Sequence, residues 1–118
     1  MSPEAEKLMK SYIPMSEPSF LLLSTLVEEL HGYGIMHKAS EVTGGRVALG
    51  AGTVYTILYK MECDGLIRVV QEAGRRKIYR ITPVGVEVLK AESNRIMELS
   101  RVAAHVLEQC NGILDGYT

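Results

Sequence analysis

The residues with most chemistry to offer stand in two short runs. The first is Thr53, Tyr55, Thr56, Tyr59 and Lys60; the second is Arg75-Arg76-Lys77. Threonine can hydrogen-bond a base edge or set its methyl against that of thymine, while tyrosine and lysine suit phosphate oxygens. Three consecutive cations at a turn can reach flanking phosphates or a minor groove. From Arg46 to Arg80 there are seven Lys/Arg against three carboxylates, a net of +4, and the remainder carries six against eleven, a net of −5. The overall charge of −1 hides this asymmetry. A local basic patch on a mildly acidic chain implies contact with a polyanion at one place. Alone, either run could be a solvated helix face or a charged turn; together they favour duplex DNA.

Other chemistries find no support. His31, His37 and His105 do not group with cysteines or acids at metal spacing, apart from a loose His37–Glu41 pair. There is no Ser/His/Asp set, no paired carboxylates and no phosphate loop, and Gly50-Ala51-Gly52 is not GxGxxG. The expectation is therefore no enzyme, no metal and no cofactor. Cys63 and Cys110 lack CxxC spacing and read as free thiols, which suits a cytoplasmic protein. The N-terminal MSPEAEKLMK lacks the apolar core of a signal peptide, and no apolar run is long enough to span a membrane. At 118 residues the chain can bury only a modest core, and pairing with a copy would add to it.

The elements that must position these residues follow from periodicity and caps. Ser2-Pro3-Glu4 and Ser16-Glu17-Pro18 each start a helix, the first ended by Pro14. The second is apolar on most faces from Phe20 to Leu30, including Val27, and is expected to be central. His31-Gly32-Tyr33-Gly34 breaks it, and a third helix follows from about Gly34 to Thr43, closed by Gly44-Gly45. A fourth begins near Gly50 or Ala51; Val54, Ile57, Leu58 and Met61 form its buried stripe, leaving Gly52, Thr56 and Tyr59 outward. Leu66–Glu72 and Lys77–Thr82 read as strands joined by a turn at 73–76. Thr82-Pro83 opens a last helix. Along it Leu89, Ile96, Ala103 and Cys110 recur every seven residues, with Leu99, Val106 and Ile113 three residues after the last three and Glu92 as the one polar break. Such an a/d stripe calls for a cover: a helix from a second copy or, alternatively, the chain's own core.

At this point the chain resembles the PadR family of transcriptional regulators. The carrying segments are LHGYGI (Leu30–Ile35), GTVYTILYKMECDGLI (Gly52–Ile67) and RRKIYRITPVGVEVL (Arg75–Leu89). The resemblance implies a mainly α fold with a two-stranded β wing: a winged helix-turn-helix over residues 1–82 and a C-terminal dimerisation helix over 83–118. It assigns His31, Gly32, Tyr33 and Gly52 to the helix-turn-helix motif, and Arg76, Lys77 and Tyr79 to the wing. It implies a homodimeric repressor on an inverted repeat, in some members released by small phenolic or drug-like molecules. Gly50-Ala51 replaces the family's Ser-Pro, so the recognition helix lacks a side-chain cap. The last helix has no aromatic from Pro83 to Leu114, so it cannot stack a flat effector. Two other readings share the same residues: a winged-helix protein–protein module without DNA binding, and a sensor whose ligand pocket is its main function.

Overall fold

The computed structural model describes residues 2–117. In chain order these form α1 (Pro3–Tyr12), α2 (Glu17–Thr25), α3 (Gly32–Val42), α4 (Ala51–Cys63), β1 (Ile67–Ala73), β2 (Arg76–Ile81) and α5 (Pro83–Gly116), with β1 and β2 antiparallel. Three helix starts are capped as the sequence implies. The hydroxyls of Ser2, Ser16 and Thr82 accept the N–H of Ala5, Ser19 and Gly85, each with proline in the first turn.

Two boundaries differ from the sequence reading. First, α2 ends at Thr25, not Leu30. The Ser24 and Thr25 hydroxyls donate back to the carbonyls of Leu21 and Leu22, both at 2.7 Å. Beyond them, the carbonyls of Leu26 and Leu30 accept the N–H groups of Ile81 (2.8 Å) and Tyr79 (2.9 Å). Backbone groups that would have extended the helix serve the wing instead, and Val27 is left 56% exposed. Second, His31-Gly32-Tyr33-Gly34 starts α3 as well as separating it from α2. His31 is its N-cap, Nδ1 accepting the Gly34 N–H at 3.0 Å, so the helix starts at Gly32. It closes as expected on Gly44 and Gly45, at φ +60° and +81°, with the Gly45 N–H on the Ser40 carbonyl.

The core lies between α2, α3, α4 and the first half of α5. Leu22, Leu23, Ile35, Leu58, Met61 and Val88 are all 1% exposed or less. Gly85 is what lets α5 sit there: a Cβ would stand 2.1 Å from the Leu66 carbonyl oxygen. Glu92, read from sequence as a break in an apolar stripe, is fully buried. Its carboxylate accepts the Met15 N–H (2.6 Å) and the Arg95 Nε (2.5 Å) and Nη2 (3.0 Å) donors, pinning the α1–α2 joint to α5. Arg95 holds the Glu92 carboxyl below the usual carboxylate range, outweighing the effect of burial. From Met97 to Tyr117 every residue is exposed, and the molecule is 63 Å long because α5 runs on past the core.

Candidate nucleic-acid interface

The fourth helix of the sequence reading is α4, and its stripe is placed as expected: Val54, Leu58 and Met61 are buried and Ile57 half-buried. Gly52, Thr53, Tyr55, Thr56, Tyr59 and Lys60 are exposed, with Tyr55 at 55% and Tyr59 at 73%. Thr56 Oγ1 donates to the Gly52 carbonyl at 2.8 Å, which leaves its lone pair and methyl for a ligand. Gly50 is the N-cap, in extended backbone that any residue adopts, and forms no side-chain cap bond. A Cβ added at Gly50 or Gly52 would meet nothing within 4 Å. Nothing in the chain's own packing requires glycine at either position.

The wing is built by β1 and β2 around the turn Gly74-Arg75. Gly74 has φ +63°, the left-handed start that a II′ hairpin turn requires. The pairing shifts by one residue between Val69 and Gln71, a bulge that twists the hairpin. The wing is tied to the start of α3 by two backbone bonds: Leu30 N–H to Tyr79 carbonyl (3.1 Å) and Tyr79 N–H to Leu30 carbonyl (2.9 Å). Between the tied pieces lies a cleft of about 340 Å³, lined by His31, Gly32, Tyr33, Tyr55, Arg75, Arg76, Lys77 and Tyr79. Gly32 faces Tyr55 here. A Cβ would stand 2.8 Å from the Tyr55 hydroxyl oxygen and 3.0 Å from its ring, so a larger residue would displace the tip of this half-exposed side chain. Tyr79 forms part of the lining, and burial first of all pushes its phenol above the ordinary tyrosine value.

Charge pairing divides the basic segment. Arg46 pairs with Glu17, Lys60 with Asp64 (3.1 Å) and Arg80 with Glu29 (3.7 Å). Among the described residues Arg68, Arg75, Arg76 and Lys77 have no ion-pair partner, and the last three line the cleft. Lys60 was expected on phosphate. In the free chain its ammonium lies 4.3 Å from the centre of the Tyr12 ring and 3.1 Å from Asp64, whose carboxylate also accepts the Tyr12 hydroxyl at 2.7 Å. The Lys60 side chain stays 60% exposed. The Tyr12 hydroxyl, and after it Lys60, holds the Asp64 carboxyl low; burial, and after it Asp64, pushes the Tyr12 phenol up. The i,i+4 spacing of Lys60 and Asp64 is the sequence signal for this pair.

The heptad stripe is divided too. Leu89 packs on the chain's own core, and Ile96 borders a hollow of about 360 Å³ with Met15, Phe20 and Leu21. Leu99, Ala103, Val106, Cys110 and Ile113 are exposed, as are Met97, Val102, Leu107 and Leu114 beside them. Among the described residues no three His, Cys, Asp or Glu come together as metal ligands, and no helix is long and apolar enough to cross a membrane.

Three packed helices followed by a basic hairpin define a winged helix-turn-helix, a class of domain that offers duplex DNA a helix and a wing. A family model described as the Transcriptional regulator PadR-like family matches residues 21–91, and the chain belongs to that family of regulators, as its motifs suggest. It is 35% identical over 86 residues to an uncharacterised 37.1 kDa transposon protein of Streptomyces fradiae, covering 72% of this chain but only 24% of that one. It is 38% identical over 77 residues to the transcriptional regulator Rv3488 of Mycobacterium tuberculosis, covering 62% of this chain and 68% of the relative. The fold is similar to a Clostridium thermocellum transcriptional regulator (TM-score 0.68, 21% identity, 89% and 96% of the two chains). It is also similar to Bacillus subtilis PadR in complex with operator DNA (TM-score 0.56, 26% identity, 66% and 46%). The mainly helical class with its wing and long last helix agrees with the sequence expectation.

Proposed function

We propose that this chain is a cytoplasmic, sequence-specific DNA-binding repressor that works as a homodimer on an inverted repeat. The observation that carries the reading is the arrangement of free charge. The basic segment's other cations are mostly paired internally, while Arg75, Arg76 and Lys77 converge unpaired on a cleft beside the exposed tyrosines of α4. In this reading α4 enters the major groove, Thr53 and Thr56 meet base edges, and Tyr55 and Tyr59 meet phosphates. The wing and Lys60 take flanking phosphates. The exposed stripe from Leu99 to Ile113 supports pairing with a second copy, which would set two recognition helices about 34 Å apart. Release by a small aromatic or drug-like effector belongs to the same proposal. The hollow lined by Met15, Phe20, Leu21, Ile96 and the Glu17–Arg46 pair offers such a molecule one ring, Phe20, beside two charges.

The test is an anisotropy titration of the full chain on operator and random duplexes at several salt concentrations. Arg76→Ala and Lys77→Ala should each weaken binding to both duplexes and lower the steepness of log K against log salt by about 1. Unchanged slopes would remove the wing from the interface. No binding of the wild-type chain to any duplex at low salt would favour a protein-contact module.

A further inference from the structure

The cleft holds a donor that the DNA-binding reading does not yet use. His31 accepts the Gly34 N–H at Nδ1, and a neutral imidazole that accepts at Nδ1 carries its proton on Nε2. The ring lines the cleft together with Tyr33, Tyr55 and the three wing cations. We propose that this cleft seats one particular phosphate of the DNA backbone, and that His31 serves it from both ends of its ring: Nδ1 fixes the first turn of α3, and Nε2–H donates to a phosphate oxygen. The inference rests on the DNA-binding reading and names one contact within it.

The lining argues for an anion. It offers two guanidinium groups, an ammonium, an imidazole N–H and phenol hydroxyls, and none of its side chains is a carboxylate. Glu62 and Glu72 act on Tyr79 electrostatically but do not line the cleft. The volume of about 340 Å³ admits a phosphate with its flanking sugars. The walls are set before any ligand arrives. The Leu30–Tyr79 backbone bonds hold the wing to the residue preceding His31, and the Nδ1 bond to the Gly34 N–H fixes the His31 ring on α3. A site pre-organised in this way spends little binding energy on ordering itself. The wing cations alone would attract any phosphate nearby; a directed N–H on a fixed ring selects one.

The roles of the two nitrogens can be separated. His31→Asn keeps a side-chain acceptor suited to an N-cap and removes the Nε2–H donor. The readouts are the thermal midpoint of the full chain and anisotropy on operator duplexes carrying a neutral methylphosphonate at one position at a time. Among the positions at which wild type loses affinity, one per half-site should depend on His31, with a loss of about tenfold, the size expected for a hydrogen bond to a charged group. His31→Asn should melt within about 2 °C of wild type, since Asn caps well. It should bind unmodified operator about tenfold more weakly and lose less than wild type at that position, where the wing cations remain. If His31→Asn does not fold, His31→Ser supplies a shorter cap for the same measurement. A capped variant that binds as wild type does, or that still loses the full tenfold at the same methylphosphonate, overturns the seat while leaving DNA binding intact. A wild-type chain that ignores duplex DNA overturns the reading beneath it.

Discussion

Gly52→Ala separates what the fold needs from what a ligand needs. Gly52 lies in the first turn of α4, exposed, and an added Cβ meets no heavy atom within 4 Å. Inside the protein the substitution therefore has no steric cost. Alanine is favoured over glycine in a helix by about 0.5–1 kcal/mol, and the lower value suits a first turn. For a domain of this size that raises the melting midpoint by about 2–4 °C. On DNA the sign reverses. If the start of α4 lies against the duplex, the new methyl displaces it and sacrifices a contact, weakening binding about tenfold. The assay pairs a thermal melt with anisotropy on operator DNA, using Gly50→Ser as companion. That variant supplies the missing N-cap hydroxyl for a few tenths of a kcal/mol. A Gly52→Ala protein that is more stable and binds operator undiminished refutes the close approach; a less stable one refutes the reading of the helix.

Three further outcomes follow from packing. Gly32→Ala should push Tyr55 off its position, costing about 1 kcal/mol for the displaced rotamer and weakening DNA binding, and the double substitution with Tyr55→Ala should recover the stability but not the binding. Gly85→Ala meets a backbone carbonyl at 2.1 Å, so circular dichroism should show a loss of about 3 kcal/mol or outright unfolding; a midpoint near wild type would mean that α5 sits differently. Glu92→Gln should cost about 1–3 kcal/mol through the weakened Arg95 and Met15 bonds. Because the Glu92 pKa is lowered on folding, its contribution is present above the unfolded value of about 4.3 and is lost as pH falls through the folded value. Denaturant titrations should therefore show wild type losing more stability than Glu92→Gln on acidification below about pH 4; parallel losses would remove Glu92 as the cause.

The elements whose signals are local were legible in the sequence. Ser2, Ser16 and Thr82 cap the helices they announce, Gly44-Gly45 ends α3, and the α4 stripe holds. Where reading fell short, a distant segment decided the outcome. The end of α2 is set by β2, whose Ile81 and Tyr79 N–H groups take the Leu26 and Leu30 carbonyls from far along the chain. The Lys60–Tyr12 contact depends on α1, which delivers Tyr12 to the end of α4. Heptad spacing marks Leu89 and Ile96 as apolar without saying whose surface they meet, and they turn inward. The free wing cations were legible as charges, but their freedom was not, because pairing depends on which carboxylates the fold brings near.

The length of α5 has a mechanical consequence. From the middle of its exposed half, near Val106, to Pro83 the helix runs about 35 Å at 1.5 Å per residue. Buried Glu92 clamps the base of this rod to the α1–α2 joint, and Tyr12 carries α1 on to the end of α4. In the proposed dimer each reading head is thus carried on a stiff boom. A change of about 6° in the angle at which two booms cross shifts the two heads relative to each other by about 3.5 Å, roughly one base-pair step. An effector need not reach the DNA-facing surface to spoil the fit. Opening the crossing by a few degrees puts the two heads out of phase with their half-sites.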